Sequence, residues 1–200
     1  RASPARSTRM VSDEPVAESH IIFYQRLLAG DKDEAVQIVS DYLKDHPPEQ
    51  VYDDVLLPAL NYAKLDRERG SLTEEEHAAI VNMTRAIVET FDSSARPEQP
   101  QTLNGGEVPQ KIHILACPAA DDADEVASMM LRQALNGHRF ELEIMPEEKL
   151  AAEIIDAATQ RNPGLVCIAA LAPGGIAQAR YLCKRLRSRF PDLKIIVGRW

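Results

Sequence analysis

The chain has 200 residues, of which 44% are hydrophobic and only 5% aromatic, with a formal net charge of −8 at pH 7. That length supports one or two domains with cores of their own, and an aromatic-poor composition suits helices and α/β layers better than a β-sandwich. The acidic balance argues against DNA or RNA as the main partner, and the sequence holds no apolar run long enough to cross a bilayer.

The opening "RASPARSTRM" is basic and polar and lacks the apolar stretch of a secretory signal. Residues 1–17 are expected to be a flexible arm, and whether it is a cloning remnant or a juxtamembrane tail stays open. Residues 18–92 read as a four-helix bundle. "AESHIIFYQRLLAG" puts Ile21, Ile22, Tyr24, Leu27 and Leu28 at helical spacing and stops at Gly30. Asp31 starts a second helix, "KDEAVQIVSDYLKDH", ended by Pro47 and Pro48. A third runs through "EQVYDDVLLPALNYAKLDRERG", with a kink or break expected at Pro58. Thr73 and Glu76 form a capping box for the fourth, "EEEHAAIVNMTRAIVETF". Four helices joined by short turns make a bundle.

Residues 93–110, proline- and glycine-rich with little apolar content, read as a linker. Residues 111–200 then alternate strand and helix. The strands are "KIHILAC", "RFELEIM", "LVCIAAL" and "KIIVG", with helices expected near Asp122, Glu147 and Pro173. Apolar strands separated by amphipathic helices indicate a parallel sheet covered on both faces, a flavodoxin- or Rossmann-like layer. Because the chain stops just after a strand, either the sheet has four strands or the chain is a piece of a longer protein, the preferred expectation.

The first strand turns at Pro118 into Asp121, Asp122, Asp124 and Glu125. In open α/β proteins this is where cofactors sit. The simplest account is helix capping, with Asp121 or Asp122 accepting from free N–H groups and the other acids favouring the positive helix end. A divalent cation is a second account. The same charges oppose a phosphate there, and no Gly-x-Gly-x-x-Gly is present. A receiver-type phosphorylation site fails because the third strand ends in "CIAALAPGG", without a carboxylate. Hydrolysis by a metal on Asp121, Asp122 and Asp124 is a distant alternative. Cys117 and Cys167 end strands expected to be neighbours, so a thiol pair is a minor expectation beside ordinary buried thiols. His113 and His138 have no neighbour that suggests catalysis. "APGGIAQA" suits close approach of a helix to the sheet, and "CKRLRSR" reads as a solvated face. No set of nucleophile, base and orienting group can be named, so the expectation is no enzyme.

A bundle, a linker and a flavodoxin-like domain in this order resemble the cobalamin-binding module of methionine synthase, corrinoid methyltransferase proteins and light-sensing cobalamin regulators. "LLAGDKDEAVQIVSDYL", "VYDDVLLPAL" and "GSLTEEEH" carry the resemblance in the bundle; "ILACPAADDADEVASMMLRQAL", "LVCIAALAP" and "IIVG" carry it in the second half. The family signature Asp-x-His-x-x-Gly falls on Asp121 to Val126. Ala123 therefore stands where the family's histidine ligates cobalt, and Val126 replaces the glycine. The Ser-x-Leu whose hydroxyl contacts the cofactor's nucleotide tail reads Ala169-Ala170-Leu171, and the glycine pair after the last strand reads Gly198-Arg199. The light-sensing branch's tryptophan, nine residues and Glu-His read Asp66, nine residues and Glu76-His77.

The resemblance thus implies a cobalamin scaffold degenerate at its ligating motif. Asp121, Ala123, Ala169, Leu171, Gly198, Glu76 and His77 mark the family's cofactor positions. The expected function is a non-enzymatic regulatory, sensory or protein-interaction module without a bound metal or cofactor. It would be cytoplasmic and work with a protein partner or a membrane-protein host. Bundle-plus-Rossmann tails of this kind resemble soluble appendages of bacterial permeases such as autoinducer exporter-like proteins. The interdomain cleft would be collapsed, with Met129, Met130 and Leu171 as fillers, or would hold another small ligand. The alternative is a cobalamin-binding domain that works without a lower histidine.

Overall fold

The computed structural model describes residues 18–94, 111–135, 139–146 and 149–200. The expected arm at 1–17, the linker from residue 95 to 110, His138 and the helix start at Glu147 lie outside the described residues.

Helix α1 (Ser19–Leu28) buries Phe23, Tyr24 and Leu27, and Gly30 closes it at φ +72°, a left-handed conformation that favours glycine. Asp31 then caps α2 (Lys32–Tyr42) by accepting from the Glu34 N–H at 3.0 Å. This helix ends at Tyr42, before the two prolines that were expected to stop it. The break expected at Pro58 takes the form of a π-helical turn, Tyr52–Leu56, running straight into α3 (Leu57–Glu68). Proline cannot donate to the carbonyl four residues back, and the wider π turn takes up the mismatch without ending the helix. Helix α4 (Glu74–Ser94) begins with the expected capping box. The Thr73 N–H donates to Glu76 Oε2 at 2.8 Å, and the Glu76 N–H donates to Thr73 Oγ1 at 3.2 Å.

The second half is a four-stranded, all-parallel sheet in the order β2 (Phe140–Ile144), β1 (Ile112–Pro118), β3 (Leu165–Ala169), β4 (Lys194–Gly198). That is the flavodoxin order through its fourth strand, with the direction of winding reversing between β1 and β3. Helices α6 (Ala151–Arg161) and α7 (Ile176–Arg189) cover one face, where Leu115, Cys117, Val166 and Ile168 pack with Ile154, Leu182 and Leu186. Helix α7 starts at Ile176, three residues after the expected Pro173. Helix α5 (Asp122–Ala134) and the bundle lie against the other face. Double coverage does not extend to edge strand β4, where Ile196 and Val197 are exposed, because α7 packs over β3. Ala116 pairs with Cys167 and Cys117 with Ile168, so strand alternation points the two thiols to opposite faces; both are free and buried, and the thiol pair held as a minor expectation does not form.

One apolar core joins the two halves. Phe23, Leu56, Leu60, Ile87 and Val88 of the bundle share it with Val126, Met129, Met130 and Leu171. The three expected fillers therefore lie in this joint core. Burying each Leu or Met side chain contributes about 1.5–3 kcal/mol, so the docked arrangement rests mainly on this seam.

Candidate functional site

Where the winding reverses, the loops after β1 and β3 face each other at the carboxyl ends of the strands, the crevice in which doubly wound folds hold ligands. Asp124 ties the two loops together. Its Oδ2 accepts from the Ala120 N–H at 2.9 Å and its Oδ1 from the Leu171 N–H at 2.8 Å. The remaining contact comes from the bundle, where Lys64 Nζ of α3 donates to Asp124 Oδ1 at 3.2 Å and to Asp121 Oδ1 at 3.0 Å. Both Lys64 and Asp124 are buried, at 2% and 0% exposure. Arg67 lies one turn along α3 on the same face, and its Nη2 donates to Asp121 Oδ2 at 2.9 Å. Two cations therefore meet these two carboxylates, and Arg67 Nη1 also lies 3.8 Å from Glu74 Oε2.

Asp121 is also the cap of α5, its carboxylate accepting from the Asp124 N–H at 3.4 Å. The capping account was correct as far as it went, but its main partners are Lys64 and Arg67. Burial alone would raise the Asp121 carboxyl, and these two cations outweigh it and hold the group below its ordinary range. For Asp124 burial wins and its carboxyl is pushed up, although Lys64 and the Leu171 N–H work against the shift. The two acids of one turn are thus moved in opposite directions by depth. Arg85 of α4 adds a contact farther along α5, with Nη1 donating to Glu125 Oε1 at 2.9 Å. Among the described residues, no group of three or more His, Cys, Asp or Glu side chains is arranged to hold a metal ion.

The family positions fall as follows. Ala123 is fully buried in the joint core beside Val126, which fills the space a glycine would leave open. Ala169 and Leu171 are fully buried, and Leu171 contributes its backbone N–H to Asp124. Gly198 leaves room for the indole of Trp200, because a Cβ there would run into the ring. Glu76 is exposed and engaged in the α4 cap, where hydrogen bonds from Thr73, the backbone N–H first, hold its carboxyl below the usual range. Asp66, at the tryptophan position, accepts from the Tyr24 hydroxyl at 2.7 Å within the bundle, and burial followed by that bond raises the phenol.

His77 is buried at 2% exposure. Its Nδ1 lies 3.3 Å from Arg67 Nη1, and its Nε2 is buried with no hydrogen-bond partner among the described residues. Burial and then the Arg67 charge depress its pKa, which favours the neutral ring. The structure thus brings Asp121 and His77 to one place, through Arg67, while Glu76 faces solvent and Gly198 serves Trp200.

Lys64 and Arg67 were not picked out from the sequence. The available signal was periodicity, since Lys64 follows Leu57 and Leu60 at helical spacing and so continues an apolar stripe. A lysine in such a stripe needs a buried acid opposite it. The residues present do not fit a cobalt ligand. Ala123 offers no lone pair, and the crevice beside it holds the Lys64 ammonium. This geometry answers what the acidic turn holds, which is a lysine from the neighbouring domain.

Residues 23–90 match the B12 binding domain family. Among solved structures, the chain is similar to the methanol:cobalamin methyltransferase complex MtaBC from Methanosarcina barkeri, at 14% identity and a TM-score of 0.44, covering 92% of this chain and 69% of that one. It is also similar to a cobalamin-binding protein from Desulfitobacterium hafniense, at 11% identity and a TM-score of 0.44, covering 90% and 82%. No curated protein matches. The family match thus covers the helical bundle, and the described chain continues from it into a four-stranded parallel sheet.

Proposed function

We propose that this chain is a non-enzymatic regulatory or protein-interaction module, in which the scaffold's cofactor crevice is closed by a side chain of its own bundle. The observation that carries the reading is Lys64, buried between Asp121 and Asp124 at the switch point. A cofactor entering there would have to displace the ammonium and leave the buried Asp124 carboxylate without its counter-charge, a cost of several kcal/mol. With Ala123 at the ligand position, no cobalt bond compensates. The module then acts through its surface and through the docking of its two halves, as a cytoplasmic appendage of a membrane permease or a similar host. Among the described residues, no helix is long and apolar enough to cross a membrane.

One observation favours the alternative, cobalamin binding without a lower histidine. Among the described residues His77 Nε2 is buried and without a hydrogen-bond partner, as a ring awaiting a ligand would be, and the bundle matches a B12-binding family. Incubation with hydroxo-, methyl- and adenosylcobalamin in the dark, then desalting, separates the two readings. Colourless protein is the expected result. Retained colour with a shifted visible band overturns the first reading and makes His77 the residue to mutate.

A further inference from the structure

Away from the sealed crevice, a second cleft of about 190 Å³ lies between the bundle and α5. Leu57, Met130 and Leu131 line it, with Tyr52 and Trp200 as aromatic members and Glu49 and Asp53 as carboxylates. Among the described residues, no lysine or arginine lines it. Tyr52 and Asp53 both sit on the π-helical turn, a feature that recurs at functional sites. The Tyr52 hydroxyl donates to Gln133 Oε1 at 2.6 Å, and the Gln133 amide donates to the Val88 carbonyl at 2.9 Å. This chain fixes Tyr52 and links the cleft wall to both α5 and α4.

We propose that the cleft binds a small organic cation, a quaternary or aromatic ammonium with an apolar body. Apolar and aromatic walls accept the body of such a ligand, and aromatic rings attract its charge. Among the described residues the charged side chains on the lining are acidic, so an anion is repelled, and a neutral ligand makes no use of Glu49 or Asp53. Size agrees, because the cleft exceeds the ~150 Å³ cavity that accepts benzene and falls short of the ~300 Å³ where drug-sized sites begin. The proposal deepens the regulatory reading by naming a ligand class, and it rests on that reading only for the purpose of binding. A cation seated on Tyr52 would tighten the docking of the two halves through Gln133.

Trp200 is the only tryptophan in the chain, so its emission reports on this cleft. The test is titration of the full chain with benzyltrimethylammonium, with benzoate and benzyl alcohol as ring-matched controls at constant ionic strength. Tryptophan emission and calorimetry are both followed. The expected result is saturable binding of the cation with a Kd of about 1 mM, and controls weaker by about tenfold or more. Asp53→Asn should weaken binding about fivefold. Ala134→Leu, at an exposed position on the rim, should abolish it with an unchanged far-ultraviolet circular dichroism spectrum. Equal binding of benzoate or benzyl alcohol overturns the proposal, as does no saturable signal in either method for the cation. Neither failure touches the reading of a closed cofactor crevice, which is tested by retained colour.

Discussion

Replacing Lys64 by methionine keeps most of the side-chain volume and removes only the charge and its hydrogen bonds. The Asp124 carboxylate then stays fully buried with two backbone donors, Ala120 and Leu171, and no counter-charge. Removing one partner of a buried ion pair costs about 3–5 kcal/mol. The two remaining donors, and the proton Asp124 can take up, place this case near the lower end, at about 3 kcal/mol. For a chain of this length that corresponds to a Tm loss of about 6–12 °C. The penalty should depend on pH. Burial already pushes the Asp124 carboxyl up, and Lys64 works against that shift, so the variant raises it further. A group whose folded pKa lies above its unfolded value stabilises below the unfolded pKa, and that contribution is lost as pH rises through the folded one. The variant should therefore lie closer to the parent at pH 5 than at pH 7, in denaturant unfolding followed by circular dichroism and Trp200 emission. A loss below about 1 kcal/mol at pH 7, or an equal loss at both pH values, refutes the claim that Lys64 neutralises a buried acid.

The His77 ring should titrate below the ordinary histidine range, because burial and Arg67 depress its pKa. Stability is then lost as pH falls below about 6.5 toward the folded value, and proton NMR of the ring together with unfolding at each pH checks both points. Burial pushes the Cys117 thiol up to about 12, so a thiol reagent at mildly alkaline pH should label half-buried Cys183 first and spare Cys117 until unfolding. Mass mapping of the labelled peptides decides this, and early labelling of Cys117 contradicts the assigned burial. Thr73→Ala removes one half of the α4 capping box and should cost about 1 kcal/mol, readable as a shift in the denaturation midpoint.

Local patterning carried a large part of this protein. Helical spacing at Tyr24, Leu27 and Leu28, the stop at Gly30, the Asp31 cap and the Thr73–Glu76 box are decided within a few residues of chain, which is why they read correctly from order alone. The alternation of apolar strands and amphipathic helices likewise announced a parallel sheet. What order could not supply is which side chains cross from one half to the other. Lys64 and Asp121 are 57 positions apart, and nothing local tells a lysine in an apolar stripe that its partner lies beyond the linker. The π turn before Pro58 likewise depends on packing on both sides of the helix. Opposite facing of Cys117 and Cys167 depends on strand register, which shifts every side chain to the other face when it slips by one residue. Sequence alone thus determined the helical bundle and the parallel α/β layer, because those follow from short-range periodicity and residue chemistry. Only the tertiary structure decided that a buried lysine occupies the crevice between the loops after β1 and β3, because a charge can be buried only where distant acids converge on it.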